Sequence, residues 1–237
     1  MSDLWCCIPV YNNAGTIADI ARRCRARMEN VLVIDDGSTD ANLLELLRPL
    51  DVRVIRHEKN LGKGAALLTG FRHAADSGGQ FLITLDGDGQ HSPEDIPRFT
   101  SHLRLDTIVL GHRAEIRGTM PRSSRFGRRF SDFWIFAETG RWVLDSQSGF
   151  RAYPVRPVLE LPIWSRHYNF EMEVLTRALW AGLQVQSVPI HVWYPGQGDR
   201  VSSFRPFRDN IRIARAHLRL LARRLLPIRQ RRLIESK

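Results

Sequence analysis

The chain lacks long hydrophobic runs, and nothing in its 237 residues approaches the roughly 18–20 consecutive apolar positions of a membrane-spanning helix. Its amino terminus has no charged start followed by a long apolar stretch, so we expect no secretory signal. Cysteine is scarce: Cys6, Cys7 and Cys24 form neither a C-x-x-C pair nor a zinc spacing. We therefore expect buried free thiols and a reducing, cytosolic compartment.

Acidic residues are scarce in the last part of the chain, and this asymmetry locates the net charge of +10. Residues 201–237 hold ten arginines and Lys237 against only Asp209 and Glu235, whereas the preceding residues are nearly neutral. Hydrophobic residues make up 43% of the chain and charged residues 25%, which is ordinary for a folded domain. We predict one domain over residues 1–204 and a basic tail over residues 205–237.

Strand and helix patterns alternate along the first ninety residues. Apolar strand-like runs cover 4–10, 31–34, 52–55 and 81–85, with helical patterns between them. This alternation predicts an α/β fold with an open, mostly parallel sheet flanked by helices. In the second half, the patterns indicate strands at 107–111 and 184–192, helices at 130–142 and 170–180, and turns over 145–153.

Polar clusters follow three of the predicted strands, at the sheet edge where ligands of such folds bind. They are Tyr11-Asn12-Asn13, Asp35-Asp36 and Asp86 with Asp88. In the cluster Asp86-Gly87-Asp88-Gly89-Gln90-His91, two carboxylates one residue apart can share Mg²⁺ or Mn²⁺. The alternative for this cluster is an Asp-Gly turn that bonds its own backbone. Asp35 and Asp36 can cap the next helix or accept hydrogen bonds from a ligand. Lys63, in a Gly-Lys-Gly sequence without phosphate-loop spacing, is either a solvated helix-start residue or faces the donor.

Eight motifs in order resemble those of the inverting family 2 glycosyltransferases with the GT-A fold, and most closely the dolichol-phosphate or polyprenol-phosphate mannosyltransferase type. They are IPVYNN (8–13), VIDDGSTD (33–40), NLGKGAAL (60–67), DGDGQHSPED (86–95), GHR (111–113), DSQSGFRAYP (145–154), NFEME (169–173) and VPI (188–190). The resemblance implies a GT-A, Rossmann-like sheet and transfer of a hexose from a GDP-mannose or UDP-glucose type donor, assisted by metal, with inversion. The acceptor implied is a polyprenyl phosphate or another lipid, as in the biosynthesis of the cell envelope.

The resemblance, taken with the chemistry of the residues, implies roles for individual residues. The donor-binding set is Pro9, Tyr11, Asn13, Ile34, Asp36, Lys63, Asp86, Gly87, Asp88, Gln90 and Arg113. Within it, Asp86, Asp88 and Gln90 form the metal and diphosphate site. The candidate catalytic residues are Asp88, Arg113, Asp145 and Arg151, and the acceptor side comprises Arg125, Arg151, Glu173 and Arg200. Asn13 departs from the pattern, because the mannosyltransferases usually carry Glu there.

The acceptor decides whether a general base is required. A hydroxyl acceptor, such as a glycan or an aryl or acyl lipid, must lose a proton, and Asp145, Glu171 or Glu173 are the candidate bases. A lipid phosphate is already ionised and requires arginines instead. The arginines between 113 and 151 favour the phosphate, and the hydroxyl acceptor is the alternative.

The basic tail contains an amphipathic helical pattern. Between 207 and 226, one arginine stripe lies beside a wide apolar sector; its members are Arg208, Arg212, Arg215, Arg219 and Arg223. Such a helix suits an anionic membrane interface, so we predict peripheral binding through 207–232 at the cytoplasmic membrane face. The alternative is a helix packed on the domain with a solvated basic edge. Nucleic-acid binding by the tail is a distant alternative that leaves the acidic clusters without a purpose, and we expect no nucleic-acid partner.

Overall fold

The computed structural model describes residues 3–117, 122–194, 206–225 and 233. Seven strands form one sheet in the order β3-β2-β1-β4-β6-β5-β7. Their bounds are β1 Leu4–Val10, β2 Asn30–Asp35, β3 Arg53–Arg56, β4 Phe81–Thr84, β5 Thr107–Arg117, β6 Arg151–Pro154 and β7 Gln184–Trp193. All neighbouring strands are parallel except at β6, which runs antiparallel to β4 and β5. The mostly parallel α/β sheet predicted from the sequence is confirmed.

Helices cover both faces of this sheet. Their bounds are α1 Ala14–Arg25, α2 Leu43–Leu47, α3 Lys63–Asp76, α4 Ile96–Thr100, α5 Arg122–Thr139, α6 Val155–Leu159, α7 Phe170–Trp180 and α8 Pro206–Leu225. One buried apolar cluster joins the sheet to α1, α2 and α4, and a second joins it to α3, α5, α6 and α7. The central strands are therefore buried on both sides, which explains their continuous apolar runs. No described helix is long and apolar enough to cross a bilayer.

The second half differs from the sequence prediction in three places. The segment 145–153 reads as turns because of its Ser and Gly residues, but it ends in β6, whose four residues are all buried. Helix α5 begins at Arg122 rather than near 130, and β5 continues to Arg117 rather than ending at 111. These extensions could not be predicted because arginine-rich sequence shows little apolar periodicity.

Helix α8 packs against α5 and α7 through a buried polar network. Glu138 of α5 is completely buried; it accepts hydrogen bonds from Thr176 Oγ1 at 2.7 Å and bonds His217 Nδ1 of α8 at 2.6 Å. The ring of Trp134 stacks on His217 with centroids 5.2 Å apart. One face of the predicted basic helix is thus packed on the domain.

We predict that Glu138→Ala lowers the free energy of unfolding by about 3 kcal/mol, because two buried groups lose their acceptor. The thermal midpoint should fall by roughly 6–12 °C, which circular dichroism would measure. Glu45→Ala, at an exposed position of α2, is the matched control. Equal midpoints for the two variants would contradict the role of this network.

Candidate active site

Lys63 joins two acidic side chains beyond the ends of the strands. Its Nζ lies 2.6 Å from Asp86 Oδ1 and 3.0 Å from Glu171 Oε1, so α3, the loop after β4 and α7 meet at one ammonium group. Burial opposes the charge of Lys63, but the two carboxylates raise its pKa above its ordinary range. Burial likewise opposes ionisation of Asp86, while Lys63 and His91 lower its pKa below the usual value. Both groups are therefore charged at neutral pH.

Asp88 has a different electrostatic environment from Asp86. The backbone N–H of Gln90 donates to Asp88 Oδ1 at 3.0 Å. Burial and the neighbouring Asp86 carboxylate raise the pKa of Asp88 to about 6. Two carboxylates that repel each other in this way form the donor set that a divalent cation prefers. Asp86 and Asp88, with Gln90 beside them, thus fit Mg²⁺ or Mn²⁺, although the described residues contain no cluster of three His, Cys, Asp or Glu side chains arranged to hold a metal by themselves.

The backbone of Gly149 lies directly against the Asp86 carboxylate. A Cβ at Gly149 would lie 2.3 Å from Asp86 Oδ2, so only glycine allows this approach. The carbonyl of Gly149 also accepts a hydrogen bond from Thr84 Oγ1 at 2.8 Å, which ties the segment to β4. Sequence reasoning missed this contact, although the DSQSGFR motif contains the residue.

Gly149→Ala should therefore displace Asp86 and weaken metal-dependent donor binding and turnover by about 100-fold, since a shift of about 1 Å at a reacting centre can cost that much. Calorimetry with Mn²⁺ and steady-state rates would measure both effects. Gly15→Ala is the control, because nothing lies within 4 Å of its added methyl group. Unchanged donor affinity in Gly149→Ala would refute the positioning role.

Arg113 and Asp145 form the second charged group of the site. Arg113 Nε donates to Asp145 Oδ2 at 2.8 Å, its Nη2 donates to Oδ1 at 2.5 Å, and its Nη1 donates to Tyr194 Oη at 3.2 Å. Arg128 Nη1 also reaches Asp145 Oδ2, at 3.5 Å. Burial raises the pKa of Asp145, but the hydrogen bonds and the charge of Arg113 lower this pKa below its usual range. Sequence reasoning missed Tyr194.

His91 lies beside the first of these charged groups, with its Nε2 4.0 Å from Asp86 Oδ2. Its ring is buried, and this burial lowers its pKa to about 4. Burial is the main cause of this shift, and the charges of Asp86, Arg113 and Lys63 act on the same imidazole with smaller effects. His91 also pairs with Val192 beyond β4, so the DGDGQH loop is attached to β7.

The predicted nucleotide end of the site lies beyond β1 and β2. Pro9 and Ile34 are partners in the parallel register of these strands. The turn that holds Tyr11 and Asn13 is tied to the next loop, because Asn12 N–H donates to Ser38 Oγ at 3.0 Å. The side chain of Asp36 is buried and anchors the backbone: its oxygens accept hydrogen bonds from the N–H groups of Leu61 and Gly62. Asp36 thus holds the loop that contains Leu61 and Gly62 in place at this end of the site.

Two residues predicted on the acceptor side are buried. Arg151 is 0% exposed, and its guanidinium donates to the carbonyls of Ser146, Ser148 and Glu171. Glu173 accepts hydrogen bonds from Ser165 N at 2.8 Å and from Arg177 Nε at 2.6 Å. Their positions do not support the predicted contacts with an acceptor; both side chains hold loops of the site in place. The side chain of Arg125, and Arg200 altogether, lie outside the described residues.

Comparison with solved structures identifies the class of fold. The chain is similar to glucosyl-3-phosphoglycerate synthase from Mycobacterium tuberculosis, in complex with Mn²⁺, UDP-glucose and phosphoglyceric acid, with a TM-score of 0.68 and 21% identity. The match covers 93% of this chain and 79% of the synthase. The fold is therefore that of the GT-A glycosyltransferases, as the sequence predicted.

Sequence comparison then gives the family. The model of glycosyl transferase family 2 matches residues 5–158, and the chain belongs to this family of glycosyltransferases. It is 30% identical to the UDP-N-acetylglucosamine–dolichyl-phosphate N-acetylglucosaminyltransferase of Methanococcus voltae, over 79% of this chain and 84% of the relative. It is 31% identical to the polyprenol monophosphomannose synthase of Mycolicibacterium smegmatis, over 77% and 74%.

Proposed function

We propose that this glycosyltransferase transfers a hexose from a nucleoside diphosphate sugar to a polyprenyl phosphate, with inversion at the anomeric carbon. One observation carries the choice of acceptor: the three candidate bases are already held by cations or backbone donors. Asp145 is bound by Arg113, Glu171 by Lys63, and Glu173 by Arg177. A lipid phosphate requires no base because its oxygen is already ionised.

The donor half of the proposal rests on the cluster around Lys63. A cation held by Asp86 and Asp88 would neutralise charge on the departing diphosphate. Lys63 and Arg113 bring two further positive charges to the same strand ends, where they would stabilise the negative charge of the departing diphosphate. The polyprenyl acceptor is supported by the two relatives, of which one is a dolichyl-phosphate N-acetylglucosaminyltransferase and the other a polyprenol monophosphomannose synthase.

We further propose that the domain binds an anionic membrane surface through α8 and α5, at the cytoplasmic face. Ile211, Leu218 and Leu225 of α8 are exposed, together with Phe130, Phe133 and Phe136 of α5. Arg215 and Arg219 are also exposed on α8, so apolar and basic side chains share this surface. This combination favours the interface of an anionic bilayer. Residues 226–232 of the predicted membrane-binding segment lie outside the described range.

The first experiment is calorimetric binding of GDP-mannose, UDP-glucose and UDP-N-acetylglucosamine, each with Mn²⁺ or with EDTA. We expect one donor to bind in the presence of metal and to lose its affinity in EDTA. Radiolabelled transfer from that donor to polyprenyl phosphate then tests the acceptor, with the corresponding prenyl alcohol as control. Transfer to the alcohol but not to the phosphate would favour the hydroxyl acceptor, and no donor binding would refute the proposal.

A further inference from the structure

Three arginines of α8 line a groove on the protein surface. The groove has a volume of about 300 Å³ and runs between α8 and residues 164–169, which precede α7. Arginine side chains come from both walls: Arg212, Arg215 and Arg219 from α8, and Arg166 from the segment opposite, with His167 beside it. The three α8 residues share one helix face because they are three and four positions apart.

The carboxylate in the lining does not neutralise these arginines. Glu173 borders the groove, but its oxygens accept hydrogen bonds from the backbone N–H groups of Trp164 and Ser165 and pair with Arg177. Within the described ranges, no carboxylate pairs with Arg166, Arg215 or Arg219 at 4 Å or less. The groove therefore carries excess positive charge suited to an anion.

The far side of segment 164–169 supports the active site. The N–H of Ala65, in the first turn of α3, donates to the carbonyl of Arg166 at 2.9 Å. The ring of Tyr168 lies 5.7 Å from Lys63 Nζ. A ligand in the groove would thus contact the same short segment that holds the amino end of α3 and Lys63.

We propose that this groove binds a phosphate group carried by a lipid. Arginine presents a planar fork of donors that matches phosphate oxygens in pairs, and several such forks converge here. Exposed Leu218 on α8 and Trp164 on the facing segment provide apolar surface next to the charges, as an attached hydrocarbon chain would require. The choice of a lipid phosphate rests on the proposed function, whereas the charge of the groove does not.

The test compares Arg215→Gln/Arg219→Gln with Arg48→Gln/Arg72→Gln, which removes two exposed arginines elsewhere on the domain. Co-sedimentation is measured with phosphatidylcholine vesicles that contain or lack phosphatidic acid, and KM is measured for polyprenyl phosphate in neutral detergent micelles. We expect the groove variant either to bind acidic vesicles about tenfold more weakly or to show an about tenfold higher KM for polyprenyl phosphate. Its KM for the sugar donor and its thermal midpoint should be unchanged. Arg215→Lys/Arg219→Lys should recover only part of this loss, because lysine keeps the charge without the fork.

The outcomes also distinguish the sources of the phosphate. A raised KM in neutral micelles supports the phosphate of the acceptor, and weaker vesicle binding with unchanged KM supports a bilayer headgroup. If inorganic phosphate raises the midpoint of the unmodified protein but not of the groove variant, while vesicle affinity and KM match the control, the ligand is soluble and the lipid assignment is overturned. A groove variant equal to its control in every measurement overturns the site itself. Vesicle binding requires no turnover, so a failure of the proposed reaction would be recognised separately.

Discussion

Asp88→Asn should reduce glycosyl transfer at least about 10³-fold and abolish Mn²⁺-dependent donor binding. The substitution keeps the shape of the side chain and an oxygen for the Gln90 N–H, but removes a negative charge from the proposed metal site. It also removes the charge whose burial, together with repulsion from Asp86, raises the pKa of Asp88 to about 6. The metal-free variant should therefore be at least as stable as the unmodified protein, which separates a lost ligand from a lost fold.

Asp76→Asn, at an exposed position of α3, is the control for this prediction. Donor affinity and thermal midpoint would be measured for both variants, with Mn²⁺ and with EDTA. If Asp88→Asn bound donor as tightly as Asp76→Asn in Mn²⁺, the assignment of Asp88 to the metal would be wrong.

Lys63→Met should lower both stability and activity. The substitution keeps the volume of the side chain but leaves Asp86 and Glu171 without the ammonium that lies 2.6 Å and 3.0 Å from them. Removing one partner of a buried ionic group costs about 3 kcal/mol, so the midpoint of urea unfolding should fall clearly. Transfer should fall by about 100-fold or more, because positive charge is lost beside the donor diphosphate.

The double variant Lys63→Met/Glu171→Gln separates the two effects. It also removes the charge of Glu171, one of the two carboxylates left unpaired in Lys63→Met. The double variant should therefore recover part of the stability but none of the activity. Lys59→Met, at an exposed position four residues earlier, is the control. Stability equal to that of the control in Lys63→Met would show that the ion cluster contributes nothing to folding.

The fold could be predicted from the sequence where local patterns and burial coincide. Strands β1, β2 and β4 are mostly apolar because helices cover both of their faces, and the helices between them show a regular apolar period. Strand β6 could not be predicted, because it is short and is held by antiparallel partners distant in sequence. Its place in the sheet depends on tertiary pairing that no local pattern contains.

The site could be predicted as a set of residues but not as a set of roles. The order of motifs predicted that Asp86, Asp88, Lys63 and Arg113 lie at one edge of the sheet, and in the structure Lys63 pairs with Asp86 and Arg113 pairs with Asp145. The sequence could not distinguish an arginine that faces a ligand from one that holds a loop. Arg151 appeared suited to phosphate, yet its donors are used by backbone carbonyls, and this difference depends on side-chain burial alone.

Lys63 also has a consequence for how the enzyme would exchange its metal. Because the ammonium already pairs with Asp86, we expect the fold not to depend on a bound ion, and chelation should inactivate the protein reversibly without unfolding it. An incoming cation would compete with this internal charge, so its affinity for the protein alone should be low. The diphosphate would supply the missing ligands, and metal and donor would then each strengthen the binding of the other by the same factor. Such an enzyme would release its metal with the spent nucleotide after each transfer.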